Sequence, residues 1–185
     1  MGIAVQLSLS LDGFFEAPDG DISWGLIDDE VHSDVNHYLR PIGAYLQGRK
    51  TYEVMVDYWP TADEDPSAPE PVRDYARIFR EKPTFVFSRT LGDDAPWSEA
   101  VLREVDPAQI ADLKERYGEL VVGGPDLTAT FMRLDLIDEY RLYIHPVVIG
   151  AGKRLFPPDY KADLRLTETR RFGNGVVLVR YDVKR

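Results

Sequence analysis

The stretch Leu120-Val121-Val122-Gly123-Gly124-Pro125-Asp126 decides the fold of this chain. A short apolar run ends at two glycines, and an amphipathic segment that continues to Phe131 follows it. This layout predicts a β-strand that enters a tight turn before a helix N-terminus. Glycine permits positive φ and close approach of the backbone to a ligand, and Asp126 is expected to cap free N–H groups. The stretch therefore predicts either an anion site at the helix N-terminus or a plain strand–helix turn.

Length and composition are typical of one globular domain that spans residues 1–185. Of the 185 residues, 44% are hydrophobic and 29% are charged, which is the balance of a soluble protein with a sizeable core. No apolar run approaches the roughly 18 residues of a membrane helix. The N-terminus lacks the basic region and the cleavage site of a signal peptide. We therefore expect a cytoplasmic protein with no membrane partner.

Charge and cysteine usage exclude several function classes. The chain has no cysteine, so disulfides, thiolate metal sites and cysteine nucleophiles are all excluded. His32 and His37 are too far apart in sequence to share one helix face, and no other ligand cluster is apparent, so we predict no metal. The net charge of −10 argues against nonspecific nucleic-acid binding, which needs a basic face. A phosphorylated small molecule remains compatible with this charge.

Strand and helix patterns alternate along most of the chain. Ile3 to Leu11 alternates apolar and polar residues, as a strand does, and helical spacing of apolar residues follows Asp28. Glu139 to Ile149 is predicted to be a strand, and the segment from Phe14 to Ile22 a loop that covers either the core or a ligand. Near the C-terminus, two strand patterns flank Phe172-Gly173-Asn174-Gly175, which is a hairpin signal. The order predicts an α/β domain with a mostly parallel sheet and antiparallel C-terminal strands.

Three predicted strand ends carry the same kind of residues. The first is followed by Gly48-Arg49-Lys50-Thr51, the second by Ser88-Arg89-Thr90 and the third by Gly123-Gly124. Each turn is expected to offer backbone N–H groups, and two of them add an arginine, whose planar fork suits phosphate. Ligands of such sheets bind beyond the carboxyl ends of the strands. The three turns together fit a dinucleotide with a pyrophosphate and a 2′-phosphate, although no G-x-G-x-x-G follows the first strand.

At these residues the sequence resembles the dihydrofolate reductase superfamily. The resemblance is strongest to the C-terminal reductase domain of the bifunctional riboflavin-biosynthesis deaminase/reductase and its stand-alone bacterial relatives. It covers nearly the whole chain, and it implies a three-layer dihydrofolate-reductase-like fold, a homodimer and NADPH as the hydride donor. The segments that carry it occur in the family's order: Ser8 to Phe14, Leu46 to Glu53, Phe87 to Arg89, Val121 to Gly124, and His145 to Phe156.

The resemblance also implies roles for individual residues around the cofactor. The phosphates are assigned to the three turns, with the 2′-phosphate at Arg49 and the pyrophosphate at Gly123 and Gly124. Asp12 and Trp24 are expected near the substrate, and Gly150 and Gly152 at the opposite rim. The full set expected to bind the cofactor is Ser8, Ile22, Gly48, Arg49, Lys50, Thr51, Ser88, Arg89, Gly123, Gly124, Asp126 and Leu127.

The resemblance leaves two alternatives for the residue that corresponds to the family's substrate-binding carboxylate. Dihydrofolate reductases place a carboxylate at the start of the first long helix. Counting from Trp24 assigns this catalytic role to Asp29, whereas counting from Gly48 leads to His32, which would bind substrate or act as a general acid. Either residue is equally compatible with a purely structural role on the helix surface. Since a nicotinamide reductase chiefly aligns its reactants and excludes water, protonation by solvent is a further alternative.

The sequence therefore predicts an NADPH-dependent reductase that acts on a small heterocyclic or carbonyl/imine substrate. A non-catalytic nucleotide-binding module of the same fold is the principal alternative. A phosphate-transfer enzyme is disfavoured, since the chain lacks a P-loop lysine motif and a carboxylate pair for Mg²⁺. The absence of cysteine and of an H-x-E motif also argues against a deaminase.

Overall fold

An eight-stranded sheet forms the centre of the computed structural model, which describes residues 2–185. A separate two-stranded ribbon lies beside it. The strands are Ile3–Ser10 (β1), Phe14–Glu16 (β2), Ala44–Gly48 (β3), Thr84–Phe87 (β4), Ala100–Leu102 (β5), Leu120–Gly123 (β6), Glu139–His145 (β7), Lys153–Arg154 (β8), Leu164–Arg171 (β9) and Val177–Val183 (β10).

Helices cover both faces of the sheet. They are Asp29–Leu39 (α1), Arg49–Tyr58 (α2), Glu70–Glu81 (α3), Pro107–Tyr117 (α4) and Pro125–Arg133 (α5), and a 3₁₀ turn, Trp59–Thr61, extends α2. Two of them begin at an aspartate that caps the free N–H groups of the first turn. Asp28 accepts a 3.0 Å hydrogen bond from the Val31 amide, and Asp106 accepts one of the same length from the Ala108 amide. No helix of the described residues is long and apolar enough to cross a membrane.

The strand order confirms the predicted α/β fold. The strands follow the order β5-β4-β3-β6-β1-β7-β10-β9. Neighbours from β5 to β7 run parallel, and β10 is antiparallel to both β7 and β9. Because β4, β3 and β6 are adjacent and parallel, their carboxyl ends lie together at one edge of the sheet.

Two predicted elements differ from the structure. The segment after β1 was expected to be a loop, but Phe14 and Glu16 pair with Arg154 and Lys153 in the two-stranded ribbon. The strand expected to reach Ile149 ends at His145, where Pro146 follows and has no N–H group to donate to a ladder.

Alternation along β3 divides the core between the two sides of the sheet. Ala44 and Leu46 pack in the larger cluster with Phe131 of α5, whereas Tyr45 packs in a second cluster with Phe79 of α3. Side chains at Tyr45 and Gln47 therefore share the side covered by α1 and α3.

An ion-pair cluster holds α1 on the sheet. The Asp34 carboxylate accepts hydrogen bonds from Arg141 Nη2 at 2.6 Å, from the Tyr143 hydroxyl at 2.7 Å and from Arg170 Nη1 at 2.6 Å. The side chains of Asp34 and Arg141 are only 8% and 6% exposed. Buried charges are stable only when they are paired in this way, so the cluster fixes the position of α1 over β7 and β9.

Candidate active site

The turns after β3 and β6 are in contact at the carboxyl edge of the sheet. Gln47 and Gly123 are paired in the ladder, so the two chains leave the sheet side by side. Gly124 has a φ of +96°, and a Cβ atom added there would lie 2.7 Å from Thr51 Oγ1 and 3.6 Å from the Gly48 nitrogen. Glycine is required at this position because its backbone conformation and the nearby threonine leave no room for a side chain.

The helices that follow these turns begin without side-chain caps. Gly48 is the N-cap residue of α2 and Gly124 that of α5, and neither end has a capping side-chain hydrogen bond. The expectation that Asp126 caps α5 was wrong, because Gly124 occupies the N-cap position. Asp126 lies in the first turn and forms a 2.8 Å ion pair with Lys153. The free N–H groups at both helix starts make this edge suited to an anion.

The third predicted turn is closed by its own serine. The Ser88 hydroxyl accepts hydrogen bonds from the amides of Thr90 at 3.2 Å and Leu91 at 3.0 Å. Arg103 Nη1 donates to the Ser88 carbonyl oxygen at 2.9 Å and also to that of Leu91. The prediction that this turn offers free backbone N–H groups therefore fails for Thr90, since a local serine–turn bond uses its amide. The turn still presents the exposed side chain of Arg89.

The basic side chains at the edge are exposed. Arg49 Nη1 lies 3.0 Å from Glu53 Oε1 one helical turn away, and each of these side chains is 45% exposed. An exposed pair of this kind is worth at most about 1 kcal/mol, so a phosphate can displace Glu53. Lys50 is also exposed. No hydrogen bond or ion pair of the Arg89 guanidinium occurs within residues 2–185.

A largely apolar cavity of about 460 Å³ opens beside the two glycine turns. It lies on the side of the sheet that α1, α2 and α3 cover. Four of the residues predicted for the site, Ser8, His32, Thr51 and Gly123, line it. Its volume falls within the ~300–1,000 Å³ that is usual for small-molecule sites.

Aromatic rings form one wall of the cavity. The centroids of Trp59 and Tyr75 are 4.3 Å apart, and the His32 ring lies 5.9 Å from Trp59 and 6.0 Å from Tyr75. Burial lowers the pKa of His32, and the nearby carboxylates of Asp29 and Asp74 oppose this shift. The imidazole is therefore held neutral at neutral pH. The structure places His32 in the cavity wall, whereas Asp29 is exposed at the first position of α1, outside the lining.

The other residues predicted for the substrate side lie in the loop after β1. Trp24 packs edge-on against His145 at 5.6 Å and donates from its indole nitrogen to the Asp21 carbonyl oxygen. Ile22 is 59% exposed. The Asp12 carboxylate accepts hydrogen bonds from the amides of Gly150 at 2.8 Å and Ile149 at 3.3 Å.

Asp12 is thus engaged in joining two segments. A hydrogen bond from Ser10 is the main cause that lowers the pKa of Asp12; desolvation opposes it, and the backbone amides of Gly150 and Ile149 lower the pKa further. The carboxylate ties the end of β1 to the segment after β7, and neither Asp12 nor Trp24 is part of the cavity lining.

Several residues around the site were missed at the sequence level. Gln47 and Tyr45 line the cavity from β3, and Trp59 and Tyr75 from the opposite side. For Gln47 the sequence did contain a signal, because its amide side chain lies within an otherwise apolar predicted strand. His145 is fully buried, and its Nδ1 accepts a 2.9 Å hydrogen bond from the Leu26 amide, so it anchors the loop before α1.

Comparisons with known proteins agree with this architecture. The model of the RibD C-terminal domain family matches residues 2–178. The Bacillus subtilis protein YyaP is 33% identical over 186 residues, which cover 97% of this chain and 93% of that protein.

Solved structures share the fold at lower sequence identity. One, a Shewanella sp. PV-4 protein that is named for riboflavin biosynthesis, superposes with a TM-score of 0.74 at 22% identity over the full length of both chains. Another is the diaminohydroxyphosphoribosylaminopyrimidine deaminase/5-amino-6-(5-phosphoribosylamino)uracil reductase of Thermotoga maritima, with a TM-score of 0.68 at 22% identity. That match covers 99% of this chain and 56% of the Thermotoga protein.

Proposed function

Because this chain belongs to the RibD C-terminal domain family, we propose that it is an NADPH-dependent reductase with its substrate in the cavity beside the glycine turns. The substrate class is a small heterocyclic or carbonyl/imine compound. One observation carries the proposal: two helix N-termini without side-chain caps, at Gly48 and Gly124, border a cavity lined by aromatic and neutral polar groups.

The residues at the carboxyl edge fit the phosphates of NADPH. The free N–H groups of α2 and α5 suit a pyrophosphate, and the bare backbone of Gly124 allows close approach where a Cβ atom would meet Thr51. Arg49 and Arg89 follow neighbouring strands, since Gly48 pairs with Phe87. Their exposed guanidinium groups are suited to bidentate contact with the 2′-phosphate that distinguishes NADPH from NADH.

NADPH, when bound, supplies the hydride for the reduction of a C=N or C=O bond. The protein itself orients the substrate between β3 and the wall formed by His32, Trp59 and Tyr75, and the largely apolar lining excludes water. The balancing proton comes from solvent, or from the imidazole of His32 only after that ring has taken up a proton, because burial otherwise keeps the ring neutral.

Titration of protein fluorescence with NADPH, NADH and ATP tests the cofactor. Trp24 and Trp59 lie near the site and serve as reporters. We expect Arg89→Ala to weaken NADPH at least about tenfold, the effect of losing a charged hydrogen bond, while NADH is little affected. Arg165→Ala, at an exposed position on β9, is the matched control. Equal losses for both cofactors would contradict the phosphate assignment.

A non-catalytic nucleotide-binding module is the second candidate, because no side chain here is obligatory for chemistry. It predicts NADPH binding without NADPH oxidation across panels of folates, riboflavin precursors, quinones and imines. Absorbance at the nicotinamide band during such a screen separates the two candidates. Tight binding of ATP without binding of NADPH would exclude the reductase and favour the nucleotide-binding module.

A further inference from the structure

The cavity offers a ligand an apolar surface without charge. Among the described residues that line it, none is Lys, Arg, Asp or Glu, and burial lowers the pKa of His32 so that the ring is neutral. Two polar atoms of the lining residues, Gln47 Oε1 and the Tyr45 hydroxyl oxygen, are buried away from the cavity surface. A charged ligand would therefore lose its hydration here without gaining partners. The carbon surface comes from Leu7, Val35, Leu39, Met55, Trp59 and Val121.

The lining becomes more apolar with distance from the glycine turns. Thr51 lies in the first turn of α2, with its methyl group near Gly123, and both residues line the cavity. Met55 and Trp59 line it as well, four and eight residues further along the chain. At the helical rise this stripe is about 12 Å long, and it changes from a hydroxyl to a thioether and an indole. A ligand that fits it has its polar group at the turns and an apolar body along α2.

The apolar surface continues from the cavity to solvent. Ile27 lines the cavity and is 57% exposed, so it lies where the cavity opens. Tyr58 is 53% exposed, and its ring packs edge-on against that of Trp59 with centroids 4.9 Å apart. Apolar side chains that remain exposed beside a cavity are typical of a binding surface. A ligand longer than the cavity would therefore leave it over carbon surface.

We propose that the substrate is an uncharged aromatic ketone or aldehyde that carries an apolar substituent. Its carbonyl group lies at the glycine turns, its ring lies beside Trp59 and Tyr75, and its substituent extends past Ile27. In the reduction the carbonyl carbon accepts a hydride, the π electron pair moves to oxygen, a proton from solvent completes the alcohol, and NADPH is oxidised to NADP⁺. The inference rests on the proposed reductase function and narrows its substrate class.

This substrate class differs from that of the Thermotoga relative. The name of that protein specifies a phosphoribosylamino-uracil, which carries a phosphate. The described lining of this cavity contains no Lys or Arg to hold a phosphate, and Asp29 and Asp74 are close enough to His32 to act on its pKa. Negative charges beside an apolar cavity disfavour an anionic ligand.

Isothermal titration calorimetry with a ladder of ketones tests the proposal, with and without NADP⁺, which cannot reduce them. The probes are 4′-methyl-, 4′-ethyl- and 4′-butylacetophenone, with 4-acetylbenzoate as the charged analogue. We expect affinity to rise about two- to fourfold for each methylene group, the effect of burying it, so the butyl compound binds at least about eightfold more tightly than the methyl compound. We expect 4-acetylbenzoate to bind at least about tenfold more weakly than 4′-ethylacetophenone.

Two substitutions at the exposed Ile27 test the path of the substituent without disturbing the core. Ile27→Ser should remove most of the gain from methyl to butyl and leave 4′-methylacetophenone nearly unchanged. Ile27→Lys should also weaken the butyl compound, but it should strengthen 4-acetylbenzoate at least about threefold, because it places a cation at the opening. Leu166→Ser and Leu166→Lys, the same changes at an exposed position on β9, are expected to alter neither affinity.

The outcomes separate this inference from the reductase proposal. Equal affinities along the ladder, no ketone binding, or binding of 4-acetylbenzoate as tight as that of 4′-ethylacetophenone would overturn the inference. Ketone binding with a constant nicotinamide absorbance in the presence of NADPH would overturn the assignment of these ketones as substrates. NADPH is titrated separately, so absence of NADPH binding would refute the reductase proposal whatever the ketones do.

Discussion

Replacement of Gly124 by alanine perturbs the turn that we propose to bind the pyrophosphate of NADPH. Its backbone has φ +96° and ψ 128°, a conformation that costs a non-glycine residue roughly 1–3 kcal/mol. The new Cβ atom would also lie 2.7 Å from Thr51 Oγ1. With this overpacking added, we expect the free energy of unfolding to fall by about 2–4 kcal/mol. For a chain of this length the Tm then falls by roughly 4–16 °C.

Gly118 supplies a matched control for backbone strain. It also has a positive φ, +82°, but a Cβ atom added there meets no atom within 4 Å. Gly118→Ala is therefore expected to cost about 1–3 kcal/mol from strain alone. Because Gly118 ends α4, away from the β3 and β6 turns, NADPH affinity should not change.

Thermal unfolding and fluorescence titration with NADPH measure the two effects on the same samples. We expect Gly124→Ala to weaken NADPH at least about tenfold, because the methyl group blocks the approach of phosphate to the N–H groups of α2 and α5. Combination with Thr51→Ala should recover part of the lost stability, since the contact is then removed. Unchanged NADPH affinity in Gly124→Ala, or an equal loss in Gly118→Ala, would refute the assignment of this turn to the pyrophosphate.

Three further predictions concern stability, pH and assembly. Asp34→Ala leaves the buried guanidinium of Arg141 without its closest carboxylate, so the free energy of unfolding in urea should fall by about 3–5 kcal/mol. Arg165→Ala, the control, breaks an exposed ion pair and should lower it by less than about 1 kcal/mol. Similar losses in the two variants would refute the anchoring of α1 by Asp34. Burial lowers the pKa of His145, so the unfolded state binds the extra proton and stability falls as the pH drops below about 6.5. His145→Gln should flatten the dependence of stability on pH, and the part that remains is due to His32, whose pKa is lowered in the same direction. An unchanged pH profile would contradict the role of His145. The homodimer remains a prediction, and a monomer in light scattering at micromolar concentration would exclude it.

The general architecture could be predicted from local sequence patterns. The alternation from Ile3 onward, the helical spacing after Asp28 and the hairpin signal at Phe172 to Gly175 each correspond to elements of the structure. These patterns are reliable because each depends on residues that are neighbours along the chain. Short pairings between distant segments were missed, and the β2–β8 ribbon is the example.

The glycine turn itself was determined by the sequence. An apolar run before Gly123-Gly124 fixes a strand, a turn and a helix start, because few residues other than glycine tolerate that backbone. The residue that caps the helix was predicted wrongly, because the pattern indicated Asp126. The structure places Gly124 at the N-cap and pairs Asp126 with Lys153.

Only the tertiary structure shows which residues line the cavity and which turns have free backbone N–H groups. Strand order puts β3 next to β6, so Gln47 on one strand and Gly123 on the other meet beside Tyr75, which comes from a separate helix. Likewise, only the folded turn reveals that the Ser88 hydroxyl accepts hydrogen bonds from the amides of Thr90 and Leu91. Periodicity indicates which face of a helix or strand is buried. Which residues face each other across a cavity depends on how elements that are distant in sequence pack together, and local sequence patterns carry no information about this packing.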